Sequence, residues 1–246
     1  TRKTSGLYDA ALALVYPQVC AVCGGQVEAR ADGVACSACW AATRVFSAED
    51  FVCWKCGLPA PGVVGEEHRR EVRCRRCTDE HFTAARACGI YEGALRASVL
   101  ALKREAHVSR RLRDLLFEAC QRAPLSSATR IVPIPLHPER ERERGFNQAA
   151  VLGRALAQLT GLPFDERSLA RTLHTERHRA GMDARARRET VAHAFVVERP
   201  RLIENECILL VDDVYTTGAT VSACAVALKE AGALEVLVLT VARPIK

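Results

Sequence analysis

The chain has no long hydrophobic segment. Its 246 residues contain no apolar run that approaches the roughly 20 residues a helix needs to cross a bilayer. The longest candidate, from Ala10 to Tyr16, is too short, and it lacks the small-residue cleavage site of a signal peptide. We therefore expect a cytoplasmic protein that does not insert into a membrane.

Aromatic residues and several catalytic signatures are also scarce or missing. Aromatic residues make up 5% of the chain, which counts against a surface that binds single-stranded DNA mainly by base stacking. The sequence contains no Walker loop and no Ser-His-Asp arrangement, and no residue stands out as a general base. Any enzymatic activity must therefore be argued from other motifs.

Positive charge is in modest excess. The chain has 35 Lys and Arg residues against 29 Asp and Glu residues, a net charge of +6. Most of the excess lies between Arg167 and Arg188, where seven arginines stand against Glu176 and Asp183. An excess of this size favours anionic partners, such as phosphorylated metabolites or nucleic acid, but does not choose between them.

Cysteine is abundant and unevenly distributed. Of twelve cysteines, eight precede residue 78, and all eight form Cys-x-x-Cys pairs. Without a secretion signal, this spacing indicates metal binding rather than disulfides. Four pairs supply two closed sites of four thiolates, which suits two structural Zn²⁺ ions. The predicted ligands are Cys20, Cys23, Cys36, Cys39, Cys53, Cys56, Cys74 and Cys77.

The spacing does not fix which pairs share an ion. Twelve residues separate the first two pairs and seventeen separate the last two. The second interval is common in zinc sites built from consecutive pairs, so we favour sequential pairing. The alternatives are a cross-braced arrangement, in which the first pair joins the third, and redox-active dithiols.

The chain divides near residue 80. Residues 1–80 combine the cysteine pairs with turns and a helical segment from Gly6 to Tyr16, and so small a unit usually needs metal to fold. Residues 81–246 alternate apolar strands with helices, a pattern typical of an α/β domain with a mainly parallel sheet and flanking helices. Strands are predicted at residues 85–91, 130–135, 207–211 and 235–241. Helices are predicted around residues 95–102 and 112–119 and at 147–159 and 219–231.

The most specific motif runs from Ile208 to Thr220 and reads ILLVDDVYTTGAT. A buried strand is predicted to lead into Asp212 and Asp213, at the edge where open α/β sheets bind ligands. The loop that follows offers backbone N–H groups, the N-terminus of a helix, and a glycine, Gly218, that permits close approach. These features predict a phosphate site. Two carboxylates beside a phosphate would repel it unless they face a ribose diol or a bridging Mg²⁺ ion.

This segment resembles the ribose-phosphate signature of type I phosphoribosyltransferases. The resemblance implies that Asp212 and Asp213 hold the ribose hydroxyls of 5-phosphoribosyl-1-pyrophosphate or a nucleotide-like ligand, together with Mg²⁺. It also implies a 5-phosphate loop made of Thr216, Thr217, Gly218, Ala219 and Thr220.

The chain as a whole resembles the narrower ComF family. Between the cysteine pairs and the aspartates lie YEG-x-LR from Tyr91, VPIPLHP from Val132 and R-x-RGFNQA from Arg142, in that order. ComF proteins are described as zinc-ribbon-bearing, phosphoribosyltransferase-like and linked to competence, the uptake of single-stranded DNA. The resemblance therefore implies a double zinc-binding domain in front of a type I phosphoribosyltransferase-like domain. Single-stranded DNA and competence proteins become candidate partners.

The resemblance also extends the predicted anion site. By analogy, the loop formed by Pro135, Leu136 and His137 faces the pyrophosphate. Arg142 and Arg144 are candidates to clamp the pyrophosphate as it leaves, and with the two aspartates they complete the set of candidate catalytic residues.

Three parts of the chain near this extended site are less clearly defined by the sequence. Residues 139–145 read ERERERG and match the position of a flexible catalytic loop, although alternating charge is also typical of a solvated surface. Lys103 is a weaker candidate because a lysine at a helix end is usually on the surface. The stretch from Arg171 to Arg188 departs from the family pattern, for example at His178, so no contact is assigned there.

Three functions fit these observations. The first is a phosphoribosyltransferase, an enzyme of the glycosyltransferase class, with an unknown acceptor. The second is a non-catalytic protein that binds single-stranded DNA. The third is a regulator that senses the sugar pyrophosphate without turning it over.

Overall fold

The computed structural model describes residues 18–62, 65–77, 80–172 and 194–245. The helix predicted from Gly6 to Tyr16 and most of the arginine-rich stretch lie outside these residues.

A parallel sheet forms the centre of the molecule. Its strands are β1 (Ala84–Ile90), β2 (Arg130–Pro133), β5 (Cys207–Val214) and β6 (Glu235–Arg243), in the order β1-β6-β5-β2. All three pairings in this sheet are parallel. Two short strands, β3 (Leu169–Arg171) and β4 (Phe195–Val197), form a separate antiparallel pair. The predicted α/β class with a mainly parallel sheet is confirmed.

Helices cover both faces of this sheet. In the described part of the chain they are α1 (Ser37–Ala42), α2 (Gly93–Leu102), α3 (Arg110–Cys120), α4 (Pro138–Arg144), α5 (Gln148–Thr160) and α6 (Ala219–Glu230). Because side chains alternate along a strand, Leu209 and Val211 of β5 pack in one core with α2, α3 and α5, whereas Ile208 and Leu210 pack in a second core with α6. A sheet buried on both faces explains why β5 and β6 are almost continuously apolar.

The observed β5 is longer than the predicted strand. It continues to Val214 because its ladder with β6 pairs Asp212 with Thr240 and Val214 with Ala242. Aspartate is a poor strand former, so the sequence pattern placed the end at residue 211, before the first aspartate. Both aspartates therefore lie on the strand itself, close to its carboxyl end.

The cysteine-rich segment packs along the outer edge of β1. Val45 pairs with Gly89, and the N–H of Ala85 donates to the carbonyl of Lys55 at 2.6 Å. A side chain at Gly89 would place its Cβ 2.3 Å from the carbonyl oxygen of Arg44, so this approach requires glycine. The segment thus covers an edge that would otherwise expose unpaired backbone groups. The division into residues 1–80 and 81–246 stays a prediction.

Candidate functional site

The cysteines form two sets of four, and the pairing is sequential. Within each set all four Sγ atoms lie within 4.8 Å of one another. The Sγ atoms of Cys23 and Cys36 are 3.8 Å apart, and those of Cys53 and Cys77 are 3.6 Å apart. A tetrahedron with Zn–S bonds of about 2.3 Å has edges of about 3.8 Å, so both sets fit Zn²⁺ closely. The cross-braced alternative is excluded.

Backbone N–H groups donate hydrogen bonds to sulfur atoms in both sets, which favours the thiolate form that binds a cation. The N–H of Cys36 donates to Cys20 Sγ at 3.3 Å, and the N–H of Cys74 donates to Cys53 Sγ at 3.2 Å. The thiol of Cys56 and the N–H groups around Cys53 lower the pKa of Cys53 to about 4, although its burial acts in the opposite sense. A thiolate is the form that binds zinc, and N–H donors to sulfur hold the ligands in orientation.

The two aspartates lie side by side near the carboxyl end of β5. Asp213 is 7% exposed, and its N–H donates to Asp212 Oδ1 at 2.8 Å. Burial and then the neighbouring carboxylate of Asp213 raise the pKa of Asp212 well above its ordinary value. The Asp213 carboxylate therefore opposes ionisation of Asp212, which marks the pair as a place where a positive charge or hydroxyl donors would be stabilising.

Lys103 supplies part of that positive charge. Its Nζ lies 3.3 Å from Asp213 Oδ2. The same Oδ2 is buried and receives no hydrogen bond of good geometry from the described residues, so the contact is an ion pair that leaves the oxygen free to accept another bond. The structure thus brings the weakest of the sequence candidates directly to the aspartates, because α2 ends beside the carboxyl end of β5.

The loop after β5 has the form of an anion cradle. Thr216 and Thr217 are exposed, and Gly218 takes a φ of +83° as it begins α6. The N–H groups of Thr216, Thr217 and Gly218 have no acceptor within the described residues. These donors lie next to a helix N-terminus, where backbone N–H groups and the helix dipole both attract a phosphate.

The second cysteine set supports this loop from behind. The ring of Tyr215 is buried, meets Phe82 edge-on at 6.1 Å, and lies 5.0 Å below the guanidinium of Arg243. The Nη1 of Arg243 donates to the carbonyl of Cys56, a ligand of the second set. The only signal of this connection in the sequence is an arginine at the end of a largely apolar strand.

The predicted pyrophosphate loop begins at the same edge of the sheet. It follows β2, the neighbour of β5, and the N–H of Ile134 donates to the carbonyl of Val211 at 3.0 Å. Asn147 Nδ2 donates to the Ile134 carbonyl at 3.0 Å and so ties the loop to the start of α5. Pro135, Leu136 and His137 follow, and His137 Nδ1 accepts from the N–H of Glu139 at the start of α4.

The segment after His137 is a helix, which corrects the expectation of a flexible loop at residues 139–145. Pro138 occupies the first turn, acidic residues follow it, Arg142 and Arg144 lie in the last turn, and Gly145 ends the helix with a φ of +82°. Each of these features favours a helix, and together they determine the local structure despite the alternating charge of the segment. Arg142 Nε donates to the Pro138 carbonyl at 3.3 Å. Arg144 bonds to Gln148, and neither arginine pairs with the described aspartates.

Comparisons with known proteins agree with this arrangement. A family model described as a double zinc ribbon domain matches residues 11–79. The DNA utilization protein YhgH of Salmonella typhimurium is 31% identical over 235 residues, which cover 92% of this chain and 96% of that protein. Competence protein F of Haemophilus influenzae is 33% identical over 144 residues, which cover 55% of this chain and 61% of that protein.

The chain belongs to the ComF family. Its ComF features are the double zinc ribbon and the α/β domain with the aspartate motif. Among solved structures, it is similar to the glutamine phosphoribosylpyrophosphate amidotransferase of B. subtilis complexed with ADP and GMP, at 20% identity and a TM-score of 0.36. That match covers 58% of this chain and 26% of the amidotransferase chain. No helix in the described ranges has the length and apolarity needed to span a bilayer.

Proposed function

We propose that this ComF protein is a phosphoribosyltransferase-type protein that binds 5-phosphoribosyl-1-pyrophosphate with Mg²⁺ at the carboxyl end of β5. The observation that carries the proposal is the succession of two adjacent carboxylates and a loop of free N–H donors within one strand-loop-helix unit. The ligand has the matching succession, with a ribose diol next to a 5-phosphate. The names of its relatives support a role in DNA utilization or competence.

In this proposal, different residues bind different parts of the ligand. Asp212 and Asp213 accept hydrogen bonds from the ribose hydroxyls, since among the described residues their oxygens meet only the N–H of Asp213 and the ammonium group of Lys103 as donors. The N–H groups and hydroxyls of the loop, residues 216–220, bind the 5-phosphate. The pyrophosphate lies against residues 135–137, within reach of the positive end of α4.

The aspartate pair also fits Mg²⁺. Mg²⁺ prefers carboxylate oxygens and substrate phosphates as ligands. A cation beside the pair would favour ionisation of Asp212, whose pKa is raised by burial and by the neighbouring Asp213 carboxylate. Bound Mg²⁺ would supply charge neutralisation to the pyrophosphate.

In the proposed transfer reaction, a nitrogen nucleophile forms a bond to C1 of the ribose. The bond from C1 to the pyrophosphate oxygen breaks, and its electron pair leaves with pyrophosphate. Asp212 and Asp213 hold the ribose so that C1 stays in place, while Arg142 and Arg144 neutralise charge on the departing group. Lys103 forms an ion pair with Asp213 and so holds its carboxylate in place. A sensor that binds the same ligand without turnover would use the same residues and differ only in the absence of an acceptor.

Calorimetric titration with 5-phosphoribosyl-1-pyrophosphate, with and without Mg²⁺, tests the proposal. We expect binding that Mg²⁺ strengthens, and a loss of at least about a hundredfold in affinity in the Asp212→Asn/Asp213→Asn variant, because hydrogen bonds to charged groups are worth about 1.5–3 kcal/mol each. Asp114→Asn, an exposed change on α3, is the matched control. Equal affinity in the double variant and the control would rule out this site. Pyrophosphate release on addition of purine or pyrimidine bases then separates a transferase from a sensor.

A further inference from the structure

A second pocket lies between the cysteine-rich segment and the sheet, and it shares no residue with the aspartate motif. Its volume is about 330 Å³, which is within the range of small-molecule sites. Residues 46–57 and 69–70 contribute one wall, and residues of β1 and of the turn after α3 contribute the other. We call it the arginine pocket because four arginines line it: Arg69, Arg70, Arg86 and Arg122.

The charge of this lining is strongly unbalanced. Among the described residues that line the pocket, Asp50 is the one acidic residue, and it already pairs with Arg44 and accepts from the N–H of Ser47 at 2.6 Å. Neither Arg86 nor Arg122 forms a salt bridge with any described carboxylate. Burial, and then repulsion from Arg122, lowers the pKa of Arg86 to about 10. Two cations without a salt-bridge partner among the described carboxylates therefore lie close together in the pocket wall.

Backbone carbonyls hold these two cations in place. Arg86 is 7% exposed and donates to the carbonyls of Trp54 at 2.8 Å and Ala123 at 3.3 Å. Arg122 donates to carbonyls on both walls of the pocket. These bonds fix the guanidinium groups but do not neutralise their charge. The Nε atoms of Arg69 and Arg122 are buried and have no acceptor in the described part of the chain. A buried charge of this kind is stabilised when an anion pairs with it.

The pocket also offers planar apolar surface. Phe46, Phe51 and Trp54 line it. The guanidinium of Arg86 stacks over Trp54 at 5.0 Å, and that of the exposed Arg70 lies 5.6 Å from the same ring. Nucleic-acid bases stack on aromatic rings and on arginine planes, whereas inorganic anions gain nothing from either.

We propose that the arginine pocket binds a nucleotide, with its phosphate paired to Arg86 and Arg122 and its base stacked against Trp54 and Arg70. A free nucleotide and one unit of a single strand offer the same chemistry, because both combine a phosphate with a planar base. The pocket size fits one such unit. This site is independent of the proposed phosphoribosyl site, and either can fail without the other.

Quenching of tryptophan fluorescence by adenosine 5′-monophosphate tests the proposal, because Trp54 lines the pocket and reports locally. We expect quenching in the wild-type protein and at least about tenfold weaker binding in Arg70→Glu, which reverses one charge and removes one stacking partner. Arg70 is exposed and its side chain forms no hydrogen bond with described residues, so the variant should fold. Arg201→Glu, an equally exposed site remote from the pocket lining, is the matched control.

Three further titrations complete the test. Binding should persist in Asp212→Asn/Asp213→Asn, and inorganic phosphate should bind more weakly than the nucleotide. Equal affinity in Arg70→Glu and Arg201→Glu, or loss of binding in the aspartate variant, would overturn the assignment. If inorganic phosphate bound as tightly as the nucleotide, the proposed stacking of the base would be wrong. A single-stranded oligothymidylate of about ten nucleotides identifies the source. Tighter, Arg70-dependent binding of the oligonucleotide indicates a strand, and weaker binding indicates a free nucleotide.

Discussion

Replacing Tyr215 tests whether the packing behind the phosphate loop fixes the geometry of the loop. Tyr215 directly precedes Thr216, is 6% exposed, and lies between the edge of Phe82 and the guanidinium of Arg243. Its N–H donates to the carbonyl of Ala242, so both its backbone and its ring are held by the core. Tyr215→Ala leaves the backbone bond and removes the ring.

The expected cost follows from what the ring contacts. Truncation of a buried aromatic side chain to alanine costs about 3–5 kcal/mol, and an aromatic pair such as Tyr215 with Phe82 accounts for about 1 kcal/mol of it. We therefore expect Tyr215→Ala to lower the free energy of unfolding by about 4 kcal/mol. That is a large part of the roughly 5–15 kcal/mol that stabilises a typical domain. Tyr215→Phe keeps the ring and should cost about 1 kcal/mol.

The ligand affinity should fall as well. Once the ring is gone, the start of the loop must be ordered by the ligand, at a cost of about 1–2 kcal/mol per residue. We expect the affinity of Tyr215→Ala for 5-phosphoribosyl-1-pyrophosphate to fall at least about tenfold, and that of Tyr215→Phe to change little. Urea denaturation of the zinc-loaded protein and calorimetry measure the two effects. A loss below about 1 kcal/mol in Tyr215→Ala, or an unchanged affinity, would refute the reasoning.

Three further results are expected. Asp212→Asn should raise the unfolding temperature of the ligand-free protein, because a carboxyl whose pKa is raised in the folded state loses stabilisation as the pH rises through that pKa. The advantage should grow as the pH rises from the ordinary aspartate pKa of about 4 towards the raised pKa of Asp212, and a pH-independent difference would contradict it. Gly218→Ala should weaken ligand binding more than Gly161→Ala. Both glycines have a positive φ, but only at Gly218 would the added Cβ meet another side chain, at 2.5 Å from Tyr215 Oη. Equal effects of the two substitutions would show that the close approach at Gly218 is unimportant. Metal analysis should find two zinc ions per chain, and removal of zinc by a chelator should abolish cooperative unfolding. A metal content of one ion or none would contradict the assignment of the cysteines to two zinc sites.

The sequence predicted features whose determinants are local. A Cys-x-x-Cys turn aims two thiolates at one point whatever surrounds it, and apolar runs such as residues 207–211 identify buried strands. The parallel sheet and the clustering of Cys20 to Cys39 apart from Cys53 to Cys77 agree with those predictions. The site residues of the aspartate motif were predicted as a unit because strand, loop and helix are consecutive. Their roles stay predictions.

The sequence failed where contacts join distant segments. Arg243 and Cys56 are 187 residues apart, so no pattern links them, and the contact between Lys103 and Asp213 depends on where α2 ends. The arginine pocket escaped notice for the same reason. Its arginines are scattered among ordinary surface charges, and only the packing of two segments brings them together. The helix at Pro138–Arg144 was missed for a different reason, because alternating charge concealed good capping at both ends.

The two cysteine sets take different positions relative to the sheet, and this explains why they differ in their connection to the ligand site. Cys20 and Cys36 share a core with α2 and α3, on the face that packs away from α6. Cys53 and Cys56 share the opposite core with Tyr215 and with α6, which begins at the phosphate loop. The cysteine-rich segment that carries both sets covers the outer edge of β1. Zinc held by the first set would therefore stabilise the edge of the sheet, whereas zinc held by the second set would stabilise the same packing that orients the loop. The zinc ribbons are thus part of the structure that shapes the proposed ligand site, even though no cysteine in them contacts the ligand in the proposed arrangement.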